Sequence, residues 1–334
     1  MSTSLNKSFT RYVCAAASAC SFSTHEVARH LSSKTGKDFN TSDKGLAYLL
    51  SNSNFQVDDR HWRMHINMVF DLLTDQKIIT KKDKIHIQID FTTNEDFFLI
   101  LCASIIVNNR AIPLYFTMRN YPKKQGQYNQ KKMEWAFLKG LRHVLSKQYS
   151  YVIVADRGFG NDRIFNYCEE IGFEYIIRIT PNMNIEMADN VDICSKMLVD
   201  DGIYDVRVPK WEKNIRLCRH SKGDKTWYLV SNMKDISEVE MSRTYAERFK
   251  IEKCFQDMKS SGFDMESSKI RKYSNYKRML LICMTAHALM VILGNFIAVK
   301  LPAFLKNFAL IEDAILAYLQ LEERQCLFFL TKQA

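Results

Sequence analysis

Five consecutive apolar residues, Tyr151-Val152-Ile153-Val154-Ala155, closed by Asp156, constrain the fold of this chain more than any other segment. A strand with one wet face alternates apolar and polar positions, whereas an unbroken run belongs to a strand covered on both faces, most often a parallel one. Parallel neighbours need a crossover, and residues 129–147 supply it. Met133, Phe137, Leu138, Leu141 and Leu145 fall near a 3.6-residue period there, which predicts a helix. A helix over about Asn161 to Gly172 and a strand from Phe173 to Thr180, stopped by Pro181, continue the alternation. Upstream, Lys84 to Asp90 alternates three isoleucines with polar residues, as in a half-buried strand that ends at Asp90. Phe97 to Val107 and Ala111 to Met118 read as two more strands, joined in a hairpin at Asn108-Asn109. Three strands, a helix, a strand, a helix and a strand give an α/β fold, a mixed sheet flanked by helices.

Asp90 and Asp156 both fall at predicted strand ends, and the carboxyl ends of strands are where open α/β sheets bind ligands. Gly158 and Gly160 let the chain turn away from Asp156 without crowding it. Either aspartate alone is more often a turn former or the cap of the following helix. A third acid lies in a helix announced by the capping box Ser237-x-x-Glu240. On a continuous helix Tyr245, Arg248, Glu252 and Lys259 spread over an arc of roughly 60°, so that one carboxylate sits within a cationic stripe. The plain alternative is a solvated face with an i,i+4 ion pair between Arg248 and Glu252.

Two strand-end aspartates and one helical glutamate suit hard divalent cations, which take carboxylate oxygens and share their remaining positions with water and phosphate. Two such ions about 3.5–4 Å apart stabilise the attacking and leaving oxygens of an in-line phosphoryl displacement without a protein nucleophile. Arg248 can fork two phosphate oxygens and Lys259 can act as a point charge beside them. Tyr245 fits either a phosphate or base contact, or a buried core position.

The segments Asp90-Phe-Thr92, Asp156-Arg157-Gly158-Phe159 and Tyr245-x2-Arg248-x3-Glu252-x6-Lys259 resemble the signature blocks of DDE transposases of the insertion sequence four family, the last block being the Y-R-E-K signature. The resemblance implies a ribonuclease H-like catalytic core in which Asp90, Asp156 and Glu252 bind two Mg2+ ions, with Mn2+ as a substitute. It also implies a β-rich insertion between the second Asp and the Glu, and Tyr245, Arg248 and Lys259 holding DNA phosphates. The implied activity is cut-and-paste transposition: metal-dependent phosphodiester hydrolysis and strand transfer at the ends of an insertion sequence, on double-stranded DNA, by a homodimer on paired ends. The alternatives are a metal-dependent nuclease without strand transfer, and a catalytically inactive or domesticated DNA-binding relic.

The remaining sequence fills in around that core. Asp156 and Glu252 are 96 positions apart, so a core needing only a strand and a helix between them must accommodate more. Residues 182–235 read as short alternating strands, Tyr204 to Val208, Ile215 to Arg219 and Trp227 to Val230, forming a small inserted antiparallel sheet; Trp211, Arg216, Arg219 and Lys222 there face either DNA or plain solvent. The expected division is a helical DNA-binding region over 1–80, catalytic core over 81–181 and 236–275, the insertion between them, and a helical region over 276–334. In the first region a capping box at Ser23-x-x-Glu26, Gly36, and a segment from Thr41 to Leu50 suggest two helices resembling a helix-turn-helix.

Met279 to Val299 runs 21 residues without a formal charge, which admits a membrane span, but Thr285, His287 and Asn295 favour a buried core helix. The expectation is no membrane and a cytoplasmic, nucleoid-associated protein. Net charge is 47 minus 37, or +10, which favours a polyanionic partner. The pairs Lys123-Lys124 and Lys131-Lys132, near Tyr121, Tyr128 and Trp135, suit a phosphate backbone or an ordinary solvated surface. Nine cysteines without a C-x-x-C pair indicate reduced thiols, and the eight histidines show no zinc spacing.

Overall fold

A computed structural model describes residues 3–95, 97–121, 130–187, 192–259 and 262–300. Four helices come first: α1 (Thr3–Ala19), α2 (Thr24–Thr35), α3 (Phe39–Ser51) and α4 (Asp59–Asp75). Half of the predicted capping box is present, Ser23 Oγ accepting from the Glu26 amide, while the Ser23 amide donates to Ser21 Oγ instead of the Glu26 side chain. Gly36 ends α2 at φ +65°, a left-handed conformation that glycine adopts at little cost. Asp38 then caps α3, so only residues 36–38 separate the two helices.

The strands β1 (Lys84–Asn94), β2 (Phe98–Val107) and β3 (Arg110–Asn120) form an antiparallel meander. Asn108 and Asn109 both have positive φ, as a two-residue hairpin turn matched to the strand twist requires. From there α5 (Gln130–Val144) crosses to β4 (Ser150–Ala155), which pairs in parallel with β1, and α6 (Asp162–Glu170) leads to β5 (Glu174–Arg178), parallel to β4. The unbroken apolar run of β4 has the predicted explanation. Val152 and Val154 pack into one cluster with Ile176, Leu229, Met241 and Tyr245, while Ile153 and Ala155 join the main core with Ile87, Phe165 and Ile177.

Five further strands follow, β6 (Asn184–Glu186), β7 (Asp192–Cys194), β8 (Gly202–Val208), β9 (Lys213–Lys222) and β10 (Lys225–Ser231), and then α7 (Glu238–Glu247), α8 (Phe249–Lys259) and α9 (Tyr273–Lys300). The inserted strands do not stand apart as a small sheet. Leu229, Val230 and Ser231 of β10 pair antiparallel with β5, giving one ten-stranded sheet in the order β3-β2-β1-β4-β5-β10-β9-β8-β6-β7. The free edge of β5 takes the next apolar strand offered to it, and Val230 and Leu229 are buried on its opposite faces.

The other edge strand, β3, is covered by helices that also bond to it. His65 of α4 sets Nε2 2.8 Å from the Pro113 carbonyl, and His287 of α9 sets Nε2 3.1 Å from that of Ala111. Pro113, which has no amide hydrogen, is tolerated at this edge position. Among the described residues α9 is the helix long and apolar enough to cross a membrane, but 72% of its apolar stretch is buried, against α1 and β3. The basic residues that precede the stretch are pinned to neighbouring backbone: Lys277 donates to the Val57 carbonyl at 3.1 Å, and Arg278 to those of Leu50, at 2.6 Å, and Phe55. Lys123, Lys124, Tyr128 and the region beyond residue 300 lie outside the described residues.

Candidate active site

Asp90 is not at a strand end. β1 continues four residues past it to Asn94 because β2 goes on pairing, Asp90 beside Cys102 and Asn94 beside Phe98. Its partner on the other side stops sooner: the β1 to β4 ladder ends with Ile89 beside Ala155. Asp90 therefore sits where β1 outlasts β4, and Asp156 is the first residue after that ladder on the neighbouring strand. Adjacent strands are about 4.8 Å apart, so the register alone brings the two carboxylates to one place.

Local contacts hold each in position. The Phe91 amide donates to Asp90 Oδ1 at 2.8 Å, and the Gly158 amide to Asp156 Oδ1 at 2.9 Å, where Asp156 caps the short 3-10 turn Arg157–Phe159. Phe91 and Phe159 stack face to face with centroids 5.5 Å apart, locking the two segments together. Glycine is required at 160, because a Cβ there would lie 2.5 Å from the Arg178 carbonyl oxygen.

The helix expected to carry Tyr245 through Lys259 is broken at one residue. α7 ends at Glu247 and α8 begins at Phe249; the Arg248 amide bonds back only three residues, to Tyr245. The signature side chains consequently do not share one outward stripe. Tyr245 is fully buried against Trp227, in the cluster with Val154 and Met241. Lys259 reaches Glu266 at 3.8 Å. Glu252, in the first turn of α8, remains 53% exposed. α8 is tied to the β2–β3 hairpin by Lys250 Nζ on Asn109 Oδ1 at 2.7 Å and Arg110 on Asp257 at 2.9 Å.

Arg248 is the centre of the arrangement. Its side chain is only 5% exposed, and it donates from Nη1 to Asp90 Oδ2 at 3.0 Å and from Nη2 to Glu252 Oε1 at 2.6 Å. The guanidinium also lies 4.7 Å from the Phe249 ring centroid. The i,i+4 pair expected on a plain helix face is present, but it is half of a bridge to a strand 158 positions away.

Burial raises the Asp90 pKa to about 6; Arg248 opposes this, while the negative charges of Asp156 and Glu252 push it further up. Asp90 thus feels the charges of both other acids. Arg248 links Asp90 to Glu252, and Asp156 follows on the strand beside Asp90. These oxygen donors are of the type that suits hard divalent cations, but among the described residues the group whose ligand atoms all lie within 4.8 Å of one another is a different one.

A second group was not legible in the sequence. Asp201, His220 and Glu238 bring their ligand atoms within 4.8 Å of one another, from the loop before β8, from β9 and from the start of α7. His220 Nδ1 bonds to Glu238 Oε1, and Arg219 and the Ser221 amide engage Asp201. These residues lie 19 and 18 positions apart with no motif linking them; only the pairing of β8 with β9 and the packing of α7 on β9 assemble them.

A family model described as transposase DDE domain matches residues 105–289, which takes in Asp156 and Glu252 and begins 15 positions after Asp90. No curated protein matches. Among solved structures, an endonuclease V from Bacillus subtilis aligns with 69% of this chain and 93% of its own at 10% identity, with a TM-score of 0.26.

Proposed function

Because this chain belongs to the transposase DDE domain family, we propose that it cleaves phosphodiester bonds at the ends of an insertion sequence of the insertion sequence four type and transfers the freed 3′ ends to target DNA. In this reading the chemistry lies where β1 of the ribonuclease H-like mixed sheet outlasts β4. The reading is supported by the register that sets Asp90 and Asp156 on neighbouring strands and by the Arg248 bridge from Asp90 to Glu252. These three carboxylates would hold two divalent cations, Mg2+ or Mn2+, which supply an activated water and stabilise the departing oxygen.

The protein's own part is positioning and charge. The Phe91–Phe159 stack sets the spacing of the two aspartates, and the ties from α8 to the hairpin set the height of Glu252. Arg248 supplies a planar fork for a phosphate and Lys259 a second cation, while Tyr245 supports Arg248 from the core side. The helical pair α2 and α3, with its three-residue turn, is assigned to reading element ends, and the strands of 182–235 to flanking DNA. A homodimer on paired ends and a nucleoid-associated, cytoplasmic location belong to the same reading.

The test is a supercoiled plasmid carrying the DNA that flanks the gene, incubated with Mg2+. Asp90→Asn, Asp156→Asn and Glu252→Gln should each abolish cutting while binding to the ends survives; cutting by any of them refutes the assignment. Joined products separate a transposase from a nuclease that lacks strand transfer.

A further inference from the structure

Arg248 occupies the space between two carboxylates that the reading above gives to a cation. Its guanidinium spends one nitrogen on Asp90 and another on Glu252, with its side chain almost wholly withdrawn from water. A divalent ion drawn to the same Oδ2 and Oε1 atoms competes with the guanidinium for them, since two positive charges held that close repel each other. Once displaced, a buried guanidinium with an unpaired Nε requires another anion, because an uncompensated buried charge is costly. The anion chemistry that fits a planar fork is a phosphate oxygen pair.

We propose that Arg248 is a resident counter-ion that must leave before Asp90 and Glu252 accept a divalent cation, so that cation and DNA phosphate enter the site together. This rests on the assignment of the three carboxylates as the cation site. The local structure suits such an exchange. Arg248 lies at the one-residue break between α7 and α8, and Phe249, against which it rests, is 43% exposed. By linkage, a phosphate that draws Arg248 away must tighten cation binding by the factor by which the cation tightens phosphate binding.

Titration calorimetry with Ca2+ on the full chain, without DNA, tests this. Arg248→Gln, which keeps a side chain of similar length but no charge, should bind Ca2+ about tenfold more tightly than the unaltered protein, within the usual range of coupling between sites. A mixed-sequence DNA duplex should tighten Ca2+ binding in the unaltered protein and have no such effect in Arg248→Gln. A guanidinium that merely supports the carboxylates predicts the reverse, unchanged or weaker Ca2+ binding on its removal, and that result overturns the proposal, as does a duplex effect of equal size in both proteins. Arg248→Lys, able to reach one carboxylate at a time, should fall between the two, and thermal melting of each variant confirms that a folded chain is being compared. Asp156→Asn separates the two layers of inference. It leaves Arg248 untouched and must weaken Ca2+ binding; if it does not, the cation lies elsewhere and the site assignment itself fails.

Discussion

Replacing His65 with Gln should flatten the acid side of this protein's stability curve. His65 is buried between α4, α9 and β3, with Nε2 2.8 Å from the Pro113 carbonyl and Nδ1 3.2 Å from the Thr285 hydroxyl. Burial lowers its pKa from 6.5 to about 4, the Pro113 carbonyl opposing the shift. Above pH 6.5 the ring is neutral both folded and unfolded and has no effect on the slope. Between 6.5 and 4 the unfolded chain takes up a proton that the folded chain refuses, so stability falls as pH falls, and below 4 the loss levels off. At about 1.4 kcal/mol per unit the full loss is about 3 kcal/mol, of which about 2 kcal/mol lies between pH 7 and pH 5. His61, His86 and His287 are shifted in the same direction and remain in the variant, so the difference between proteins isolates His65. Urea unfolding at pH 7 and pH 5 provides the measurement. The unaltered protein should lose about 2 kcal/mol more than His65→Gln over that interval; equal losses would mean that the imidazole titrates normally and refute the argument.

Two further changes probe the scaffold. Gly160→Ala places a methyl group 2.5 Å from the Arg178 carbonyl, and backbone cannot yield as a flexible side chain does. A loss of about 1–3 kcal/mol in thermal or urea unfolding is expected, together with weakened DNA cleavage as the turn after Asp156 shifts. Arg278→Ala removes the donors to the Leu50 and Phe55 carbonyls inside the helical layer. Two buried acceptors left without partners should cost about 2–4 kcal/mol, seen as a lower melting temperature; a change below about 0.5 kcal/mol would show that water replaces the side chain there.

Much of the core was written locally. The alternating isoleucines of β1, the paired asparagines of the hairpin and the solid apolar run of β4 each state their structure within a few residues, and the strands lie where those patterns put them. The alternation of β1 stops at Asp90, while the ladder with β2 continues through Phe91 to Asn94, where pairing rather than amphipathicity sustains the strand, so Asp90 lies inside it rather than at its end. The even stripe expected of Tyr245, Arg248, Glu252 and Lys259 presumed a straight helix. It gave way because Tyr245 is drawn into the core beside Trp227 and Arg248 toward Asp90, partners 18 and 158 positions away. Asp201, His220 and Glu238 illustrate the same limit: their nearness arises from strand pairing and helix docking, which no periodicity reports.

The joining of β10 to β5 leaves no seam between scaffold and insert. Strand pairing connects the hairpin that anchors α8, through the strands that carry or precede the two aspartates, to the outermost inserted strand. A load on the inserted strands therefore reaches the segments carrying Asp90 and Asp156 through backbone pairing. If the inserted strands carry flanking DNA as proposed, a duplex laid across the sheet must do the bending itself, and how readily it bends depends on its own base steps.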